Sequence, residues 1–290
     1  MVKTKSAGYF YSQNPGFMYR SCLLLFIAIT LGVLAAGMPA IGQKLPRALE
    51  QGHSHNDYWR PNPLTAALRL GFKSVEADVF LSNDALLVGH SLNELKPEQT
   101  LESLYLVPLQ NLMQKNKSLY RGNGILYLYI DFKTEGQPTY EHLVPVLQKY
   151  QDILLTPRTT GKKKGVQIIL TGNYPRELVL ADAQRLVYLD GKVEELTNNL
   201  KATYFPVVSG NWANSFKWRG QGAIPPAEQK KLIEWNKIAL QNGQKIRFWN
   251  ISETNPEQTK AIWQELLKYK SVLIGTDHLD WLPEMLAKQK

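Results

Sequence analysis

The stretch Ser74-Val-Glu-Ala-Asp-Val-Phe80 places two acidic residues inside an apolar run that is typical of a buried strand. Glu76 and Asp78 are two positions apart, so their side chains point to the same face of such a strand. Charged side chains within an apolar parallel strand are costly unless they are paired or bind a metal. Carboxylate oxygens are the ligands that hard cations such as Mg²⁺ and Ca²⁺ prefer. The stretch therefore predicts a buried strand that presents two metal ligands.

Strand-like segments alternate with helical patterns along the rest of the chain. The predicted strands cover residues 49–54, 74–80, 125–132, 166–171, 186–189, 204–209, 245–250 and 272–276. Helical patterns lie between most of them, at residues 63–70, 109–115, 140–149, 176–183, 227–241 and 256–269. Strands that alternate with helices imply a parallel sheet. Eight such units in about 240 residues match a closed (β/α)₈ TIM barrel of the α/β class.

Two further observations refine the prediction of a barrel. A ninth apolar run, residues 86–88, follows the second strand so closely that we interpret it as an excursion from that strand. An open, doubly wound sheet is the alternative architecture, but the sequence lacks the Gly-rich phosphate loop expected of that fold. We therefore predict one barrel domain over residues 45–290.

Residues 1–42 differ in composition from the rest of the chain. They contain three basic residues and no acidic residue, and an apolar run covers residues 22–38. Small residues follow this run, and Ala40 or Gly42 suits a cleavage site, so the segment is predicted to be a signal peptide. The alternative is an uncleaved membrane anchor, although the run is near the lower length limit for a spanning helix. Both interpretations predict an exported domain, periplasmic or extracellular.

Composition and charge bound the classes of function. The formal charge is +9, of which +3 belongs to residues 1–42 and +6 to the remainder. This excess could attract an anionic substrate or a lipid headgroup, although a solvated basic surface is the simpler explanation. No nucleic-acid-binding motif accompanies it, so we expect no nucleic-acid partner. Cys22 is the only cysteine, and the domain therefore depends on an apolar core without a disulfide.

A barrel predicts where the candidate side chains meet, because active sites of this fold lie at the C-terminal ends of the strands. His53 and His55 end the first predicted strand, and Asp131 ends the third. Asp131 could complete a three-carboxylate metal site with Glu76 and Asp78. A hard-metal site flanked by histidines indicates metal-assisted phosphoester chemistry.

Lys133, Trp249 and Asn56 are the predicted substrate contacts. Alternation along residues 126–133 places Lys133 on the face of Asp131, where its ammonium group could hold a phosphate oxygen. Trp249 ends the seventh strand and could form an apolar wall for a substrate or pack in the core. Asn56 follows the first strand and could contact substrate or shape the turn. Other aromatic residues near the expected mouth are Tyr58, Trp59, Trp212 and Trp218.

The order His55, Glu76-x-Asp78, His90 resembles the phospholipase C-like phosphodiesterase superfamily. Its members include the glycerophosphodiester phosphodiesterases, the phosphatidylinositol-specific phospholipases C and sphingomyelinase D. The stretch Glu76-Ala-Asp-Val-Phe-Leu-Ser-Asn-Asp-Ala-Leu-Leu-Val-Gly-His90 is similar to the glycerophosphodiesterase pattern E-x-D-V-x-L-T-x-D-G-x-x-V-x-H. Ala85 replaces the usual glycine of that pattern.

The end of the first strand departs from the glycerophosphodiesterase form, which opens with H-R-G and has a later P-E-N-T. The sequence here is Ser54-His-Asn-Asp-Tyr-Trp-Arg-Pro61, which looks like the branch called altered inheritance of mitochondria protein 6. The resemblance implies that the three carboxylates named above hold Mg²⁺ or Ca²⁺. It also implies a histidine pair that works as base and acid, which we assign to His55 and His90, with His53 as the reserve for His55.

These observations predict metal-dependent hydrolysis of a small or lipid-derived phosphodiester, such as a glycerophosphodiester. One alternative is a metal-dependent amidohydrolase that uses His53 and His55, with Asp277 after the eighth strand. Such enzymes need further histidines from middle strands, and none of the five histidines of this chain lies on the predicted fifth or sixth strand. The other alternative is a non-catalytic barrel that binds a phosphoester.

Overall fold

The computed structural model describes residues 45–122, 124–159, 161–198 and 200–287. The predicted signal peptide or anchor, residues 1–42 with Cys22, lies outside these ranges. Among the described residues, no helix is both long enough and apolar enough to span a bilayer.

A ring of eight parallel strands forms the centre of the molecule, and a ninth strand extends it. The strands are β1 (Leu49–Ser54), β2 (Phe72–Ser82), β3 (Ala85–Val88), β4 (Gly124–Phe132), β5 (Lys164–Gly172), β6 (Tyr188–Lys192), β7 (Val207–Asn211), β8 (Lys245–Trp249) and β9 (Val272–Thr276). β1 pairs with both β2 and β9, and these pairings close the ring. β3 pairs antiparallel with the far end of β2, which confirms the predicted excursion. The α/β TIM-barrel prediction is therefore confirmed.

Helices cover the outer surface of the ring. They are α1 (Thr65–Arg69), α2 (Val107–Asn116), α3 (Gly136–Gln148), α4 (Arg176–Ala181), α5 (Trp212–Ser215), α6 (Pro226–Asn242), α7 (Pro256–Leu266) and α8 (Trp281–Ala287). Short helical turns cover Asp57–Trp59, Leu92–Glu94, Glu102–Leu106 and Val193–Glu195. β6 and β7 begin two and three residues later than predicted, at Tyr188 and Val207. For β7 the reason is Pro206, which has no N–H group to donate to a neighbouring strand.

Two apolar clusters separate the inside of the barrel from its helical layer. Leu126, Leu128 and Ile130 pack in the large cluster between strands and helices, whereas Tyr129 faces the small cluster inside the ring. The predicted alternation along β4 is therefore confirmed. Other members of the inner cluster are Ile169, Tyr188, Val207 and Leu273.

Two of the aromatic residues expected near the mouth pack in the core instead. Trp212 and Trp218 are buried, and Trp212 stacks on Phe216 with ring centroids 4.3 Å apart. Burial of a large apolar ring is strongly favourable, and α5 begins at Trp212 directly after β7, where this packing is available. Trp59 and Trp249, in contrast, remain about half exposed.

Candidate active site

Three carboxylates converge at the C-terminal ends of β2 and β4. The register pairs Asp78 with Asp131 and Glu76 with Tyr129, so the acidic side chains project into the same side of the barrel. One oxygen from each of Glu76, Asp78 and Asp131 lies within 4.8 Å of the others. Glu76 and Asp78 are buried, whereas Asp131 is only partly so. Three hard oxygen donors this close together fit a divalent cation such as Mg²⁺ or Ca²⁺.

Lys133 lies inside the carboxylate cluster. Its Nζ atom is 2.9 Å from Asp131 Oδ2 and 3.0 Å from Asp78 Oδ2. Burial raises the pKa of both aspartates, and the charge of Glu76 adds to that increase. Burial lowers the pKa of Lys133, but the two aspartates more than offset this effect and its pKa is raised. The ammonium group thus neutralises part of the negative charge of the two aspartates, which would otherwise repel each other.

Arg247 on β8 anchors the third carboxylate. Its Nη2 atom lies 2.8 and 2.9 Å from the two oxygens of Glu76, and both side chains are buried. Burial alone would raise the pKa of Glu76, but Arg247 and the neighbouring histidines more than offset it and keep that pKa well below its ordinary value. Glu76 is therefore ionised and held in a fixed orientation.

His53 is a buried part of this anchor. Its Nδ1 atom is 2.6 Å from Ser74 Oγ, and its Nε2 atom is 3.1 Å from Arg247 Nε and 3.1 Å from Glu76 Oε2. Because the guanidinium N–H can only donate, Nε2 accepts and Nδ1–H donates to Ser74. Burial, with the charge of Arg247, lowers the pKa of His53 to about 4. The neutral ring has no nitrogen left for a substrate.

His55 directly follows β1, two positions beyond His53, and is accessible. Its Nδ1 atom is 3.0 Å from Asp277 Oδ1, its Nε2 atom is 4.0 Å from Glu76 Oε2, and its side chain is 39% exposed. Burial lowers the pKa of His55, but Asp277 and Glu76 outweigh this effect and the net pKa is raised. With Nδ1–H donated to Asp277, Nε2 is free to face a ligand beside the carboxylates.

His90 lies on the other flank of the carboxylates, after β3. Its Nδ1 atom is 3.3 Å from Asp78 Oδ2 and 3.3 Å from the Tyr58 hydroxyl. Trp59 packs against its ring with centroids 5.1 Å apart, and Glu94 accepts its backbone N–H. The two accessible histidines therefore approach the cluster through different carboxylates, His55 beside Glu76 and His90 beside Asp78.

Two adjoining cavities open onto this cluster. The larger, of about 460 Å³, is lined by the three carboxylates, both accessible histidines, Asn56 and Lys133. The smaller, of about 240 Å³, lies beyond His55 and is lined by Glu253 and Asp277. Trp249 contributes to both cavities and is 47% exposed. All eight predicted site residues thus line the larger cavity.

Comparison with known proteins assigns the chain to a family. Residues 48–190 match the family model described as "AIM6-like phosphodiesterase domain". The altered inheritance of mitochondria protein 6 homolog of Arthroderma benhamiae is 31% identical over 255 residues, covering 79% of this chain and 81% of that protein. The chain belongs to the altered inheritance of mitochondria protein 6 family.

A second relative agrees with this assignment. Altered inheritance of mitochondria protein 6 of Eremothecium gossypii is 30% identical over 265 residues, covering 80% of this chain and 68% of that protein. The solved structure of phosphatidylinositol-specific phospholipase C from Listeria monocytogenes aligns with a TM-score of 0.46 at 10% identity, over 86% of this chain and 95% of that one.

Sequence reasoning missed several residues that shape the site in this family member. Gly172 has φ +72°, and a Cβ atom there would lie 2.0 Å from Asp131 Oδ1, so only glycine leaves that carboxylate in place. Arg247 precedes Trp249 by two positions, and the shared face was the only available signal. Asp277 was noted for the amidohydrolase alternative, but the structure pairs it with His55.

Proposed function

We propose that the protein is a metal-dependent phosphodiesterase. The observation that carries this proposal is the cluster of Glu76, Asp78 and Asp131 at the barrel mouth, with an accessible histidine on each flank. The family model that matches residues 48–190 supports hydrolysis of a phosphodiester. The donor set supports a hard divalent cation, because it consists of oxygen ligands only.

Different residues would bind the cation and the phosphate. The three carboxylates would hold Mg²⁺ or Ca²⁺, which when bound supplies positive charge to a phosphate. Lys133 lies at the same place, and its ammonium group adds a second positive charge for a phosphate oxygen. Arg247 keeps Glu76 ionised and oriented, so that no reorganisation is needed when substrate arrives.

The two accessible histidines carry the protons. We assign His55 as the base, which accepts a proton at Nε2 from water or from a hydroxyl of the substrate. Asp277 orients the ring and stabilises the charge that this transfer creates. His90 is the acid that protonates the leaving alkoxide. A substrate hydroxyl adjacent to the phosphate would favour a cyclic intermediate, because intramolecular attack has a high effective concentration.

The substrate we propose is small or derived from a lipid. Trp249 forms an exposed wall shared by the two cavities, so it can contact one ester group while the phosphate lies at the carboxylates. Asn56 faces the larger cavity from the β1 side. Trp249→Ala should therefore change the ranking of phosphodiesters with different alcohols, and an unchanged ranking would remove Trp249 from the binding site.

The amidohydrolase alternative loses support from the geometry of His53. That mechanism would use His53 and His55 together, but Ser74 and Arg247 occupy the two ring nitrogens of His53. A non-catalytic barrel differs from the proposal only in turnover. The experiment therefore has to compare reaction classes as well as binding.

A substrate screen tests the proposed function. The purified protein is incubated with bis(4-nitrophenyl) phosphate, glycerophosphodiesters and phospholipid vesicles, and separately with amide and lactone substrates. EDTA should abolish phosphodiester turnover, and Mg²⁺ or Ca²⁺ should restore it. The matched controls are Asp131→Asn, which should not be restored, and Glu98→Gln, which changes an exposed carboxylate and should behave as wild type. Faster hydrolysis of an amide or lactone than of every phosphodiester would refute the proposal.

We also propose that the domain is exported and that residues 1–42 direct this step as a signal peptide or anchor. The support is the basic, acid-free start and the apolar run at residues 22–38. Fractionation of cells that express the full chain or residues 45–290 tests it. Cytoplasmic recovery of the full chain would contradict the proposal.

A further inference from the structure

Arg60 joins the two loops that carry His55 and Asp277. Its Nη1 atom donates to the backbone carbonyls of His55 and Asn56, at 3.2 and 3.0 Å. Its Nη2 atom donates to the carbonyls of Thr276 and Asp277, at 3.4 and 3.0 Å. One guanidinium group thus holds two carbonyls that follow β1 and two at the end of β9.

This contact lies where the sheet itself no longer connects the two strands. The ladder between β1 and β9 ends with the pair Ser54 and Thr276, and one further bond joins the His55 N–H to the Thr276 carbonyl. The side-chain contact between His55 and Asp277 comes directly after that point. Arg60 therefore supplies the connection that strand pairing supplies elsewhere in the barrel.

Arg60 is itself held in place by a buried acid. Its Nη1 atom lies 3.9 Å from Asp57 Oδ1, and its side chain is only 13% exposed. Asp57 is fully buried and accepts hydrogen bonds from Ser54 Oγ, the Tyr105 hydroxyl and the Leu64 N–H. The ion pair is thus anchored in the core below the loop.

The far side of the β9 loop is held separately. Glu253 accepts the Asp277 N–H at 3.2 Å and the Thr276 hydroxyl at 3.0 Å. With Glu253 on one side and Arg60 on the other, the backbone of Asp277 is fixed from two directions. Of these two residues, only Arg60 also holds the His55 loop. The Asn56 side chain adds one bond between the loops, from Nδ2 to Asp277 Oδ1 at 3.3 Å, whereas Arg60 binds four backbone carbonyls.

We propose that Arg60 is a positioning residue that holds Asp277 against His55, an inference that rests on the proposed role of His55 as proton carrier. Four carbonyls in two loops require a planar group with two separate nitrogen arms. Lysine keeps the charge but concentrates it on one atom, so it cannot bridge both loops. Arg60→Lys therefore removes the bridge between the two loops while it keeps the positive charge.

The matched control is Arg219→Lys. Arg219 also donates to backbone carbonyls, that of Ala213 in α5 and those of Phe216 and Trp218 in the loop after it, but it does not line either cavity. Both variants lose bonds to carbonyls and keep their charge. Turnover of bis(4-nitrophenyl) phosphate with added Mg²⁺ is the kinetic readout. Arg60→Lys should lower kcat about tenfold or more with little change in KM, while Arg219→Lys should keep kcat and KM at wild-type values.

A second readout does not depend on turnover. NMR of ¹⁵N-histidine-labelled protein follows the titration of His55, assigned by comparison with His55→Asn. Arg60→Lys should move the His55 midpoint to lower pH by about half a unit or more, because Asp277 no longer stabilises the charged ring. Arg219→Lys should leave that midpoint unchanged. This readout stays informative even if the protein proves to hydrolyse no phosphodiester.

A double-mutant cycle distinguishes positioning from general weakening. In the Asp277→Asn background, Arg60→Lys should cause little further shift of the His55 midpoint, because the contact is already lost. Additive shifts, an unchanged midpoint in Arg60→Lys, or an equal loss of kcat in Arg219→Lys would each overturn the proposal. Should Arg60→Lys fail to fold, Arg60→Gln replaces it. Failure of both while the Arg219 variants fold would also overturn it, since Arg60 would then serve the fold itself.

Discussion

His55 and Asp277 are 222 positions apart, yet His55 Nδ1 lies 3.0 Å from Asp277 Oδ1. The closure of the ring between β1 and β9 creates this contact. It leaves Nε2 of His55 facing the carboxylate cluster, 4.0 Å from Glu76 Oε2. An imidazole held in this way has one nitrogen committed to orientation and the other available for proton transfer.

Asp277→Asn should lower kcat and shift the pH profile. Asp277 raises the pKa of His55 against the opposing effect of burial, so its removal should lower that pKa. The limb of the kcat/KM profile that belongs to His55 should then move to lower pH. Asp280→Asn, which changes an exposed carboxylate three positions along the chain, should leave the profile unchanged. A His55 limb at its wild-type position in Asp277→Asn would contradict the role of the pair.

His55→Asn and His90→Asn should each reduce turnover by about 10²–10⁴-fold, as expected for loss of a general acid or base. Both proteins should remain folded, because the two side chains are accessible. His142→Asn is the control, since His142 lies on the outer helix α3 and hydrogen-bonds to Pro138 and Asp84, away from both cavities. Rate measurements and thermal unfolding on the same samples separate activity from stability.

His53→Asn should behave differently from the two accessible histidines. His53 is fully buried and bonded to Ser74 and Arg247, so its replacement should lower the free energy of unfolding by about 1–3 kcal/mol. Urea unfolding measures this loss. A dead His53→Asn with wild-type stability, beside a fully active His55→Asn, would transfer the catalytic role to His53.

Gly172→Ala should weaken binding of the cation as well as the fold. The new Cβ would overlap Asp131 Oδ1, displacing that carboxylate, and would also crowd the backbone of Phe132. Gly161 has the same φ of +72° but nothing within 4 Å of a Cβ, so Gly161→Ala isolates the backbone cost of about 1–2 kcal/mol. Calorimetric titration with Mg²⁺ or Ca²⁺ should show reduced affinity in Gly172→Ala alone. Equal affinities in the two variants would exclude this role for Gly172.

Asp190→Asn should flatten the dependence of stability on pH. Burial raises the pKa of Asp190 from 3.8 to about 7, although Arg247 lies 3.9 Å away. Between these values the folded state binds a proton that the unfolded state has lost, so the free energy of unfolding falls as pH rises, by about 1.4 kcal/mol per unit. Urea unfolding at pH 5 and pH 8 should show a smaller difference in Asp190→Asn than in wild type. Asp280→Asn should match wild type, and a wild-type pH dependence in Asp190→Asn would show that Asp190 does not titrate in this range.

Much of the fold could be predicted because its signals are local. Apolar runs of strand length alternate with helical patterns, and the side-chain period of two places Tyr129 inside the ring and Leu128 outside it. Strand ends were less certain, because they depend on hydrogen bonds with a neighbouring strand, and Pro206 has no N–H group to donate at the start of β7. The signal for the acidic pair on β2 was equally local, because two residues that are two positions apart on a strand share a face whatever the tertiary structure is.

Local patterns in the sequence were sufficient to predict the barrel, the strand face that carries Glu76 and Asp78, and the strand end that carries Asp131. Tertiary structure alone decided which histidine is available. His53 and His55 occupy equivalent faces of one strand, but Arg247 from β8 engages the first and Asp277 after β9 engages the second. Arg247 is 194 positions from His53 in the sequence, and Asp277 is 222 positions from His55. Only closure of the ring brings these partners to β1. Long-range electrostatic pairing of this kind has no local periodicity, so the pattern of residues along the chain cannot show it.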